Sequence, residues 1–104
     1  MYEHNEGIYT FYVYILTNIK KNVLYIGVTN NLRRRLHEHK TNRNPQSFTA
    51  RYNVHYLVYY EKFSWIQQAI EREKDLKKLS RINKETIIKE SNPDLTFLNH
   101  YFED

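Results

Sequence analysis

Residues 11–29 read FYVYILT-NIKKN-VLYIGVT, and this stretch decides the fold. Two runs rich in β-branched and aromatic residues, 11–17 and 23–29, have the composition of strands. Only the polar segment 18–22 joins them. A connection that short brings two strands together antiparallel, because a parallel return needs a crossover of a dozen residues or more.

Working outward, Asn30 or Asn31 is placed to cap a helix over residues 32–40. The segment 41–53 (TNRNPQSFTARYN) is polar and broken by Pro45, and reads as irregular. A third strand is expected within 54–63, clearest at 56–60. Ser64 followed by Gln67 has the form of a capping box for a helix over 64–80. Residues 83–90 predict a short last helix, stopped before Asn92-Pro93. The tail keeps Leu95, Phe97, Leu98, Tyr101 and Phe102, and is expected to dock on the core. The order β-β-α-β-α-α predicts an α+β fold, a small three-stranded antiparallel sheet flanked by helices. Residues 1–10 read as a polar lead-in and 11–104 as a single domain.

One residue disturbs this pattern. On a helical wheel starting at Trp65, Ala69 and Leu76 fall within about 40° of it, with Ile66 and Ile70 at about 100° and 140°. Glu73 falls at about 80°, inside the apolar face, whereas Glu71 falls on the polar side. A carboxylate turned toward a core requires a partner, a proton or a metal.

Composition narrows the function. No cysteine is present, which removes disulfides and thiolate metal sites. No apolar run is long enough to span a membrane and no signal-peptide pattern opens the chain, so a cytoplasmic protein is the simplest reading. The net charge is +4, and its distribution is uneven. Residues 11–60 hold eight Lys and Arg (Lys20, Lys21, Arg33, Arg34, Arg35, Lys40, Arg43, Arg51) against the single acid Glu38. A one-sided basic field points to a polyanionic partner, with nucleic acid the first candidate. Arg33, Arg34, Lys40 and Arg51 are the candidate phosphate contacts.

Gly27 interrupts a strand run, which marks either a bulge or a close approach by backbone or ligand. In the first helix, Leu32 and Leu36 form the apolar stripe. Arg35 and His39, spaced i,i+4, form a second stripe at its edge, while Arg33 and Arg34 turn away. His37-Glu38-His39 lacks the spacing of a helical zinc site, and His4, His55 and His100 are scattered. Tyr52 and Tyr56 could stack on unpaired bases, although packing is the default for both. Lys77, Lys78 and Arg81 read as a solvated face.

Taken together, Tyr12-Val13-Tyr14, Tyr25-Ile26-Gly27, Arg35, His39 and Glu73, in this order and spacing, resemble the GIY-YIG nuclease superfamily. The resemblance runs from about Phe11 to about Pro93. It is nearest to the small single-domain bacterial branch, the UPF0213 proteins, through Tyr59-Tyr60-Glu61, Ala69, Arg72-Glu73-Lys74 and the run 76–80. The resemblance implies hydrolysis of DNA phosphodiester bonds with one divalent metal, Mg²⁺ or Mn²⁺, of the kind used in repair or recombination. By the same resemblance Glu73 would hold the metal, and Tyr25 would sit beside the attacking water. Tyr14 would orient that water or a phosphate oxygen, Arg35 would stabilise charge on phosphate, and His39 would relay a proton. The expected partner is branched, damaged or single-stranded DNA, with a targeting protein as a further partner and no membrane. The first motif lacks its leading glycine, and Val28 stands where several repair members carry Lys. Asn92 is the nearest match to an Asn that often follows the metal-binding helix. Two other readings compete: a nucleic-acid-binding module with a vestigial site, and a scaffold in which Arg35 neutralises Glu73.

Overall fold

The structure, a computed structural model, describes residues 10–41 and 44–103. The lead-in at 1–9, with His4, lies outside the described residues, as does Arg43. β1 (Phe11–Thr17) and β2 (Leu24–Thr29) pair antiparallel, as their short connection requires. Asn18 closes the turn: its Oδ1 accepts from the backbone N–H of Asn22 at 3.0 Å and of Val23 at 3.2 Å. β3 (Tyr56–Phe63) pairs antiparallel with the other side of β1, so the sheet order is β2-β1-β3. The central strand is the most apolar one, and residues Val13 to Thr17 are all buried.

The helices are α1 (Leu32–Lys40), α2 (Phe48–Arg51), α3 (Ile66–Lys78) and α4 (Arg81–Ser91), with a closing 3₁₀ turn at Asn99–Phe102. Alternation along the strands divides the core into two layers. Val13, Ile15, Ile26 and Val58 pack against Ala69 and Leu76 of α3 and Ile88 of α4. Tyr14, Leu16 and Leu57 pack with Leu32 and Leu36 of α1. The fold is therefore α+β, with a three-stranded antiparallel sheet between two helical layers.

Several expectations are corrected. Segment 41–53 is not irregular throughout, because Ser47 caps α2 by accepting from the Ala50 N–H at 3.2 Å. Ser64 caps nothing; α3 starts after Trp65, which makes no side-chain cap bond. Ser80 belongs to the next helix, which it caps through the Asn83 N–H at 3.2 Å, so α4 begins two residues before the expected 83. The apolar face of α3 is also narrower than the wheel implies. Trp65, Ile66 and Ile70 are 66%, 37% and 38% exposed, and only Ala69 and Leu76 are fully buried. The small Ala69 side chain sets the contact, and the first turn of the helix lies uncovered.

The sheet has a bulge, but not at Gly27. Ile15 pairs with Tyr59 and Leu16 with Leu57, so Val58 is the extra residue on β3. A bulged residue drops out of the ladder, and here Asn92 supplies the missing partner. Its Nδ2 donates to the Val58 carbonyl and to the Thr96 carbonyl, both at 2.9 Å. Its Oδ1 accepts from the Thr96 N–H at 3.0 Å and from the Thr96 hydroxyl at 2.9 Å. Asn92 thus joins the end of α4, the bulge and the tail. The tail docks as expected: Leu95 is buried, and the Leu98 N–H donates to the Leu57 carbonyl at 2.7 Å.

Candidate active site

Tyr14 points from β1 into the α1 layer and is fully buried. Directly across the ladder stands Gly27. A Cβ at that position would lie 2.5 Å from the Tyr14 hydroxyl oxygen and 2.6 Å from Cζ. The glycine is there because the Tyr14 ring occupies the space a side chain would need. Neither explanation open from sequence holds as stated: no bulge lies here, and the close approach is made by a neighbouring side chain and not by backbone or ligand.

Asn31 starts α1 by accepting from the Arg34 N–H at 3.0 Å, which sets the rotation of the helix. Leu32 and Leu36 then face the core, and His39 meets Tyr14, with Nε2 and the hydroxyl 3.1 Å apart. The His39 Nδ1 lies 2.9 Å from the Thr49 hydroxyl of α2, which is 3.3 Å from the Ser47 hydroxyl. Burial pushes the Tyr14 phenol well above its ordinary range. The adjacent Tyr25 adds to this, Arg35 opposes it, and the Glu73 and Glu38 carboxylates raise it further. Burial also pushes His39 down to about 4, helped by the Arg35 and His55 charges and opposed by Glu38. Both groups are consequently neutral at pH 7. With Tyr14 donating to Nε2, the imidazole proton sits on Nδ1 and is donated to Thr49.

Tyr25 completes the cluster from β2, with ring centroids 6.3 Å from Tyr14 and 5.7 Å from His39. Tyr25, Arg35, Glu38, His39, Phe48 and Thr49 are among the residues lining an open cleft of about 570 Å³. Arg35 keeps a loose contact with Glu38 at 3.7 Å, and Arg34 reaches the same carboxylate at 3.9 Å. Tyr14, Tyr25, Arg35 and His39 are therefore brought to one place.

Glu73 comes from a different element. It lies on α3, the helix packed on the opposite layer, and its charge is felt at the buried Tyr14 hydroxyl. It does have an internal partner: Lys77 one turn on, with Nζ 3.0 Å from Oε2. The scaffold reading named Arg35 for that role, and the structure replaces it with Lys77, whose i,i+4 position makes the contact local. Among the described residues no three His, Asp or Glu side chains gather as a ready ligand cage. A single accessible carboxylate nevertheless fits a hard cation that keeps most of its waters.

The candidate phosphate contacts divide between two surfaces. Arg33, Arg34 and Lys40 line a second groove with His37 and Phe102, separate from the cleft. Three consecutive arginines on a helix span about 200°, so they cannot share one groove. Arg51 lies on α2, its guanidinium 5.8 Å from the Tyr52 ring centroid. Tyr56 stacks on Phe97 of the tail at 4.3 Å and is packing, not a base contact. Arg81 also departs from a solvated face, donating to the carbonyls of Asn22 and Lys21 at 3.0 and 3.1 Å. Asn92 has every polar atom engaged and contributes nothing to the cleft.

Two features escaped sequence reasoning. Thr49 and Ser47 lie in the segment read as irregular, where only the Ser47-to-Ala50 cap spacing could have signalled order. The second is a paired cluster beside α3. Arg72 grips Glu61 with Nε to Oε1 and Nη2 to Oε2, both at 2.9 Å, and the Tyr59 hydroxyl donates to Oε2. Burial raises Tyr59 to about 12, reinforced by Glu61. Burial would also raise Glu61, but the Arg72 and Tyr59 hydrogen bonds outweigh it and hold the carboxyl below its usual value. This cluster pins β3 to α3, the helix that carries Glu73.

Residues 10–86 match the sequence model of the GIY-YIG catalytic domain. The chain belongs to the GIY-YIG family. Within it, the chain is 40% identical over 79 residues to a UPF0213 protein of Bacillus licheniformis, covering 76% of this chain and 79% of that one. It is 36% identical over 77 residues to a UPF0213 protein of Natronomonas pharaonis, covering 74% and 88%. The solution NMR structure of a UPF0213 protein from Bacillus halodurans matches with a TM-score of 0.53 at 27% identity, covering 82% of this chain and 88% of that one. The chain is thus a small GIY-YIG protein of the UPF0213 group, with a nuclease-type domain. The first GIY-YIG motif is Tyr12-Val13-Tyr14 and the second is Tyr25-Ile26-Gly27. The fold sets the tyrosine of the first against the glycine of the second.

Proposed function

We propose that this chain is a divalent-metal-dependent endonuclease that hydrolyses phosphodiester bonds in DNA. The observation that supports it best is the convergence of Tyr25, Arg35 and His39 on one open cleft, with the buried Tyr14 bonded to His39 behind it. Arg35 offers planar paired donors to the non-bridging oxygens of a phosphate in the cleft. Tyr25, on the cleft wall, positions a water for in-line attack. The water oxygen forms a bond to phosphorus as the bond to the leaving sugar oxygen breaks, and the departing oxygen takes up a proton. Both ring nitrogens of neutral His39 are engaged, Nε2 accepting from the Tyr14 hydroxyl and Nδ1 donating to Thr49, so a proton from the water side reaches it by way of Tyr14, whose hydroxyl passes its own proton to Nε2 as it takes one up. Glu73 would hold Mg²⁺ or Mn²⁺, which when bound would neutralise charge on the phosphate. Phosphoryl transfer depends mainly on such positioning and charge neutralisation.

One contact favours the alternative of a non-catalytic DNA-binding module. Lys77 already neutralises the Glu73 carboxylate, and a metal must displace it. Nicking of supercoiled plasmid in Mg²⁺ or Mn²⁺ separates the two readings. The endonuclease loses activity in both Glu73→Ala and Arg35→Ala. A wild type that binds DNA without cutting it is a binding module, and cutting untouched by Glu73→Ala would remove that residue from the mechanism.

A further inference from the structure

The α2 segment displays aromatic rings that no core contact requires. Phe48 and Tyr52 are 46% and 48% exposed. Their centroids lie 4.8 Å apart, and Phe48 stacks near-parallel to Tyr25 at 6.2 Å and 24°. The rings therefore run as a ledge from the cleft wall outward. Arg51 sits against the far end, over Tyr52. The ledge stands on a fixed support. Ser47 caps the helix, the Val54 N–H donates to the Thr49 carbonyl at 2.8 Å, and Thr49 is bonded to His39.

Exposed rings beside a basic cleft suit a ligand with flat apolar faces and negative charge between them. A base inside a duplex has both faces covered by its neighbours, so it gains nothing from the ledge. A base out of the stack gains a ring face, while Arg35 and Arg51 flank the ledge with positive charge for its phosphates. We infer that Tyr25, Phe48 and Tyr52 form a stacking platform for unpaired bases next to the phosphate held in the cleft. The preferred ligand is therefore DNA with unpaired nucleotides, such as a flap or bubble, and not an intact duplex. Its place beside the reacting phosphate rests on the cleft being the hydrolytic site; the platform itself does not.

Binding in EDTA separates the two ideas, since no cutting occurs there. Fluorescence anisotropy compares a labelled duplex, the same duplex with a short single-stranded flap, and that flap built from abasic sites. Wild type should bind the flap about 10-fold or more tighter than the duplex, and the abasic flap should lose that preference. Phe48→Ala and Tyr52→Ala should lose it as well while keeping duplex affinity, and Tyr52→Trp should restore it. Thermal melting confirms that the variants stay folded. Equal wild-type binding to flap and duplex would overturn the inference, as would an undiminished preference for the abasic flap. A flap preference in a protein that cuts nothing in Mn²⁺ would keep the platform and remove the hydrolase.

Discussion

Gly27→Ala tests the packing on which the candidate site is built. The added Cβ would lie 2.5 and 2.6 Å from the Tyr14 hydroxyl oxygen and Cζ. Such contacts can be relieved only if a group moves, and the Tyr14 ring is 1% exposed. It is enclosed by the Leu32 and Leu36 layer, and its hydroxyl is tied to His39. Forcing extra volume into a filled core costs about 1–3 kcal/mol. Losing the Tyr14–His39 hydrogen bond adds about 1 kcal/mol. Against this, alanine restricts the unfolded chain more than glycine does, which returns up to about 1 kcal/mol. The net expectation is a loss of about 1–3 kcal/mol, or a melting point lower by at least about 4 °C. Urea unfolding measures it, and Tyr14→Leu in the same chain should recover part of the loss by vacating the space. Tyr14→Phe should recover little, because Cζ remains in the way. A Gly27→Ala protein as stable as the wild type would refute the reasoning, as would one in which Tyr14→Leu adds its full independent cost.

Three further outcomes follow from the same geometry. His39 titrates at about 4 in the fold against 6.5 in the unfolded chain, so the folded state binds fewer protons between those values. Its contribution is complete above pH 6.5 and is lost as pH falls toward 4. The unscreened linkage of about 3 kcal/mol shrinks to about 1–2 kcal/mol because the ring is partly exposed. NMR of the imidazole nitrogens checks the titration, and a midpoint near 6.5 would contradict it. Lys77→Met frees Glu73 and should tighten Mn²⁺ binding about 2–5-fold, followed by electron paramagnetic resonance; unchanged affinity would mean that Lys77 does not compete. Asn92→Ala strips the Val58 carbonyl of its partner and should cost about 2–3 kcal/mol in urea unfolding, whereas a loss below about 0.5 kcal/mol would show the bulge to be satisfied by water.

What the sequence alone determined about this protein is what short-range chemistry controls. The 18–22 connection is too short for anything but a hairpin. The spacing of Leu32 and Leu36 sets the face of α1, and the order and spacing of Tyr14, Tyr25, Arg35, His39 and Glu73 already carried the family. Local rules failed where two local solutions were both acceptable. Ser64 has capping-box spacing yet caps nothing, and Ser80, read as the end of one helix, caps the next. The wheel placed Trp65, Ile66 and Ile70 inward, yet a helix resting on Ala69 and Leu76 covers little more than that stripe. The tertiary structure alone decided the contacts between residues far apart in the chain: Tyr14 filling the space above Gly27, Thr49 holding His39, and Asn92 satisfying a bulge 34 residues away. A hydrogen bond or a ring contact depends on where two backbones meet in space, and no periodicity within either segment records that meeting.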